Sequence, residues 1–383
     1  MLRRNKRGHC NASCGCVTAP RASAARIHGV SNRHVASIAA ACLRRVLAVL
    51  LLVLIGPCVA ATPLRAGVDE AVRFDGYSPL AGTRELFARG LDPLGERRVL
   101  AMYAERHEQV PAFTVDMAQE RFAVFVPATP PPPRGHGLLV YVPPWDEAVV
   151  PRRWRKVLEQ TGTVFVTAAR SGNAQLELPR RMALALHGYA NVVAALKIDP
   201  ERVHVGGFSG GARIAQLLAL GFPEVFRGAI LDGSSDVIGT PLSPLPTPQR
   251  LHRAQERLRL VYIHGSKDVA NAEGAYRSMR SAVAWCLPQP ERLVMRGRGH
   301  EPADAATLLR ALRLQETPPA PQAELADCRA DHEAARDADV AALEVLAATG
   351  ARTDAIAALR RLDATRAHFA GAAIRRIADR LGY

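Results

Sequence analysis

Aromatic residues are scarce in this chain, with Phe, Trp and Tyr together making up 5% of its 383 residues. Aliphatic side chains and alanine must fill most of the core, and at 48% hydrophobic residues they can fill a sizeable one. The length suits one large domain or two modest ones. Acidic residues are missing from positions 1–61, which hold nine of the fifty Lys and Arg. The formal charge of +14 therefore belongs mostly to that leading segment, and the remainder has the modest excess of an ordinary soluble protein. No basic run interleaved with aromatics follows residue 61, which argues against a nucleic-acid partner. An internal repeat is also lacking.

Cysteine is rare beyond the leader. Of seven, Cys10, Cys14, Cys16, Cys42 and Cys58 precede residue 62, leaving Cys286 and Cys328. That even pair suits an oxidising compartment. Bonded together they would close a loop of about 40 residues, worth roughly 4 kcal/mol in the chain-entropy account. Cys10-x3-Cys14-x-Cys16 lacks the partner set of a zinc finger, and no other plausible ligand spacing is visible. No metal and no cofactor are expected.

The leader itself has a readable order. In "CLRRVLAVLLLVLIGPCVAATP", Arg44 and Arg45 precede an apolar run from Val46 to Ile55, then Gly56-Pro57 and the small-residue site Val59-Ala60-Ala61. This is the layout of a secretory signal, with an apolar core too short to span a bilayer comfortably. It predicts a cut after Ala60 or Ala61 and an exported mature chain, periplasmic or secreted, with no stable membrane span. An uncleaved anchor is the alternative. Pro57 argues against lipidation at Cys58, and Arg44-Arg45 matches a twin-arginine signal only weakly.

Residues 62–110 read as an irregular N-terminal arm ending in a helix over 83–107. "PAFTVDMAQERFAVFVP" alternates twice, at Phe113, Val115, Met117 and at Phe122, Val124, Val126, which predicts a β-hairpin. The proline run in "PATPPPPRG" cannot supply ladder donors and reads as a surface connection. Beyond it, apolar bursts at 137–142, 162–169, 202–207, 227–233, 258–265 and 291–297 alternate with helical stretches near 149–160, 179–196, 210–221, 270–286 and 302–314. Uniformly apolar strands separated by helices predict a mostly parallel central sheet covered on both faces, the α/β class. "PLSPLPTPQR" (241–250) is an insertion that could form a lid, wall a pocket or remain a passive loop. After residue 316, apolar side chains from Ile356 to Leu381 recur every three or four positions, a helical C-terminal extension that needs a surface to pack on. The organisation is thus leader (1–61), arm (62–110), α/β domain (111–315) and extension (316–383).

Within the α/β domain, "VHVGGFSGGAR" places a lone serine among glycines where a strand gives way to a helix. Gly207-Phe208-Ser209-Gly210-Gly211 fits G-x-S-x-G, a strained turn that lifts the hydroxyl above the sheet at a helix N-terminus. The Gly-Lys-Ser/Thr of a phosphate loop is absent and G-x-G-x-x-G is not completed. Two further strand ends carry Asp268, in "VYIHGSKDVA", and His300, in "VMRGRGHEP". The order Ser209, Asp268, His300 resembles that of the α/β-hydrolase superfamily, and the resemblance covers about residues 111–315. "AARSGNAQ" and "DPERVHVGGFSGG" look most similar to secreted esterases of the polyhydroxybutyrate-depolymerase and feruloyl-esterase type.

This resemblance implies that Ser209 attacks an acyl carbonyl, His300 moves the proton, and Asp268 orients His300. The expected substrate is a small or polymeric ester. Asp232 and Asp236 are alternative acids, while His204 and His264 read as structural. Gly210 would give one oxyanion N–H. Relatives place the second after the first parallel strand, where this chain has Pro143-Pro144-Trp145. Neither proline has an N–H, so Trp145 or Asp146 must supply it. Trp145 and Phe208 are candidates for contacting substrate. A serine peptidase on the same fold, or a silent binding domain, are the competing readings.

Overall fold

Eight strands form one sheet in the order β1-β2-β4-β3-β5-β6-β7-β8. They are β1 (Gly67–Val72), β2 (Phe122–Val126), β3 (His136–Val142), β4 (Thr163–Ala168), β5 (Ile198–Phe208), β6 (Gly228–Asp232), β7 (Arg259–Gly265) and β8 (Glu291–Met295). The computed structural model describes residues 63–175 and 177–383. The leader, its signal and Cys10, Cys14, Cys16, Cys42 and Cys58 lie outside the described residues.

β1 and β2 run antiparallel at one edge, β2 pairs antiparallel with β4, and the remaining pairings are parallel. Each of the six apolar bursts forms one of the strands β3 to β8. Their chemistry explains this: β3, β4 and β6 are buried along their whole length, as strands covered on both faces must be.

The helices, in chain order, are α1 (Thr83–Gly90), α2 (Pro93–Glu105), α3 (Arg152–Gln160), α4 (Leu178–Ala195), α5 (Gly210–Gly221), α6 (Pro248–Arg257), α7 (Val269–Ala284), α8 (Ala305–Glu316), α9 (Leu325–Thr349), α10 (Arg352–Arg366) and α11 (Gly371–Leu381). Alternate sheet residues feed two cores. Leu138, Val140, Val164 and Val166 pack with side chains of α4 and α5 on one face. Leu139, Phe165, Val261 and Ile263 pack with Trp154 of α3 and Leu308 of α8 on the other.

The structure corrects three expectations near the N-terminus. The 113–126 segment is not a hairpin: Met117–Gln119 is a 3₁₀ turn capped by the Asp116 side chain, which accepts from the Ala118 N–H. β2 pairs instead with β1, a strand inside the supposed irregular arm. The helix read over 83–107 is two helices. Leu91 leaves the first, Asp92 caps the second by accepting from Gly95 N–H, and Pro93 opens it at N1, where a missing N–H costs nothing.

The extension forms a third core, in which Leu343, Leu359, Leu362, Ile374, Ile377 and Leu381 bury against one another and against Leu94 of α2. Cys286, just past α7, is disulfide-bonded to Cys328 of α9, with Cα atoms 6.2 Å apart. No helix among the described residues is long and apolar enough to cross a membrane.

Candidate active site

The serine turn is built by close approach. A Cβ on Gly207 would stand 2.4 Å from the Gly211 carbonyl, and one on Gly211 would stand 2.0 Å from the Val142 carbonyl oxygen. Only glycine lets α5 begin this close to the ends of β3 and β5. Ser209 between them takes φ 54° and ψ −126°, a strained region for a residue with a Cβ. Its N–H is held by the Asp232 carbonyl at 2.8 Å, which fixes the turn against the end of β6.

The loops after β7 and β8 carry the other two groups and are tied to each other. Ser266 N–H donates to the Met295 carbonyl at 3.0 Å, and Lys267 N–H to the Arg298 carbonyl at 2.8 Å. These bonds bring Asp268 and His300 together although 32 positions separate them. His300 Nδ1 stands 2.7 Å from Asp268 Oδ2, and Nε2 stands 2.9 Å from Ser209 Oγ. With Asp268 ionised, Nδ1 carries the proton and Nε2 presents its lone pair to the hydroxyl. The Phe208 ring lies 4.7 Å from the imidazole, centroid to centroid.

Burial pushes the Asp268 carboxyl up, but hydrogen bonds from the Asn271 amide and His300 outweigh it, and the group ends below its usual pKa. Asn271 Nδ2 donates to both carboxylate oxygens, at 2.9 and 3.1 Å. Asp268 is thus an anion at neutral pH, suited to face an imidazolium. Sequence reasoning passed over Asn271, which carries no motif of its own and earns its place through one turn of α7.

Neither alternative acid bonds the His300 ring, whose Nδ1 is taken by Asp268. Asp232 is buried, and burial raises its carboxyl to about 8 despite the Ala303 N–H bond. The Asp236 carboxylate faces Arg213 at 3.6 Å. Of the other histidines, His204 is buried with neither ring nitrogen partnered, and His264 bonds to the neighbouring Gly265 carbonyl. Neither touches the serine.

A cleft of about 590 Å³ opens over Ser209 and His300. Leu91 from the α1–α2 turn, Ile214 and Leu217 of α5, and Pro241 and Leu242 of the proline-rich insertion give it an apolar side. The insertion is therefore a pocket wall. Gly210 lines the cleft and begins α5, whose first N–H groups have no intrahelical acceptor. Trp145 and Phe208 do not line it. Phe208 is buried in the core on the α3 side and the half-buried Trp145 packs against that core, their rings 6.5 Å apart. Arg181 of α4 and Asn173 line the cleft as well. The sequence hinted at Asn173 only through the stretch "AARSGNAQ".

Strand order, serine turn and the sequential order of serine, acid and histidine define an α/β-hydrolase fold with Ser209, His300 and Asp268 in one hydrogen-bonded line. No model of a known protein family matches the chain, and no curated protein matches it. Among solved structures it is similar to esterase 2 of Thermogutta terrifontis, at 16% identity and TM-score 0.40, covering 52% of this chain and 88% of that one. It is also similar to an acetyl xylan esterase from Aspergillus awamori, at 16% identity and TM-score 0.38, covering 51% and 94%. A third is a puromycin-hydrolysing peptidase of Mycobacterium tuberculosis, at 16% identity and TM-score 0.38, covering 51% of this chain and 36% of that one. The chain spans 34% to 36% of the length of the peptidases it resembles.

Proposed function

We propose that this chain is an exported serine hydrolase that cleaves carboxylic esters through an acyl-enzyme, without a cofactor. The observation that carries the reading is the continuous hydrogen-bonded line from Asp268 through His300 to Ser209. In the reaction, His300 Nε2 takes the hydroxyl proton as Ser209 Oγ bonds to the acyl carbon. It returns that proton to the departing alkoxide, leaving the acyl group on Ser209. A water then repeats the sequence, His300 removing its proton, and the carboxylic acid departs. Asp268 keeps the imidazole in the useful tautomer and offsets its transient positive charge. The apolar side of the cleft, with Leu91, Ile214, Leu217 and Leu242, would receive an acyl or alcohol group of hydrocarbon character.

The test compares hydrolysis of short nitrophenyl esters with that of peptide anilides by the purified chain. Ester turnover should dominate, and Ser209→Ala should lower kcat by roughly 10⁵–10⁶-fold. Equal rates for the parent and the alanine variant would remove Ser209 from the mechanism. Faster cleavage of anilides than of esters would favour the peptidase reading.

A further inference from the structure

The reading above, on which this inference rests, leaves the tetrahedral oxyanion with one evident donor, the Gly210 N–H. Pro143 and Pro144 have none to offer, so in the loop after β3 the first backbone N–H groups are those of Trp145 and Asp146, further along the chain. The loop after β4 is brought into the gap instead. Asn173 N–H donates to the Pro144 carbonyl at 2.9 Å and Arg170 N–H to the Asp146 carbonyl at 2.7 Å. Gly172 N–H donates to Asp146 Oδ1 at 2.8 Å. Beneath them the buried Arg181 guanidinium reaches both loops, bonding Ser171 O at 2.8 Å and Pro143 O at 3.0 Å. Two loops that differ in sequence by some thirty positions are thereby held as one platform.

That platform presents the Asn173 carboxamide on the cleft wall against Gly210. Its Oδ1 lies 2.2 Å and its Nδ2 3.1 Å from where a Cβ on Gly210 would stand. Glycine directly after the nucleophile therefore makes room for this side chain. Its backbone is pinned, while the amide itself has no hydrogen-bond partner among the described residues. Turning the carboxamide by 180° exchanges its oxygen and nitrogen on the same wall.

We propose that Asn173 is a catalytic residue whose side-chain N–H donates to the oxyanion beside the Gly210 N–H, taking the place of the backbone donor that Pro143-Pro144 cannot provide. As the Ser209 Oγ–C bond forms, the carbonyl π pair moves onto oxygen and the serine proton moves to His300 Nε2. As the C–O bond to the alcohol breaks, that pair returns and His300 releases the proton to the alkoxide. Asn173 gains and loses no proton. It stabilises charge present only in the adduct, so it acts on kcat and not on ground-state binding.

The experiment measures kcat and KM for a short nitrophenyl ester with the full chain and with Asn173→Ala and Asn173→Asp. The aspartate variant keeps size and shape but has no N–H to give. Both should lose about 10²–10³-fold in kcat with KM changed by less than about threefold. Affinity for an alkyl trifluoromethyl ketone, whose serine adduct bears an oxyanion, should fall in parallel with kcat/KM, with the melting temperature unmoved. An active parent whose two variants keep kcat within about threefold overturns this inference alone. A parent that neither turns over the ester nor takes a fluorophosphonate at Ser209 overturns the hydrolase reading, and this inference with it.

Discussion

Ser209, Asp268 and His300 are each readable one at a time, because each stands at the end of an apolar burst and two of them sit in glycine-marked turns. As substrate contacts Trp145 and Phe208 are harder to read, for the opposite reason, and neither lines the cleft. An aromatic next to a catalytic serine or an oxyanion loop is equally a wall or a core residue, and nothing local tells which way the ring points. His204 shows what burial alone does to one side chain. Removal from water, reinforced by Arg202, Arg227 and Arg259, lowers its pKa from 6.5 to about 3. As pH falls below 6.5, the unfolded chain takes up a proton that the folded chain refuses, so stability drains away down to about pH 3. His204→Leu removes that term and leaves no polar atom unpaired. Its acid-unfolding midpoint, followed by circular dichroism, should move to lower pH; an unchanged midpoint would count against a neutral, buried imidazole.

Among the elements, long apolar strands and helices with clear periodicity were legible, whereas short or exposed ones were not. β1 reads "GVDEAV", and its acidic, half-exposed edge has too little apolar alternation to separate it from loop. The 113–126 segment does alternate, but Asp116 satisfies backbone donors locally and closes a turn before a second strand can pair. The break between α1 and α2 is marked by Asp92-Pro93, the cap and first residue of the second helix. The disulfide belongs to this scale too, since it clamps the end of α7 to α9. Opening it by Cys328→Ser, which avoids reductant, should cost about 4 kcal/mol for a separation of 42 residues. Urea unfolding measures this directly, and a loss below about 1 kcal/mol would mean that the helices hold their place without the bond.

At the level of the whole molecule, the third core explains why the amphipathic tail is present: without it Leu94 and its own apolar faces would meet water. The charge asymmetry and the apolar run before Ala60 support export. Produced in a bacterial host able to export it, the mature chain should begin at Ala61 or Thr62 by N-terminal sequencing. Recovery of the chain from the cytosol with its leader intact would contradict that.

By itself the sequence determined the class of fold and singled out the three candidate groups of the site, because apolar periodicity and glycine turns are local signals written in consecutive residues. Only the tertiary structure decided which acid faces the imidazole, where Trp145 goes, and that Asn173 stands beside Gly210. Those outcomes depend on loops stitched to one another across the top of a sheet, and hydrogen bonds between distant carbonyls and amides leave no mark on the order of side chains along the chain.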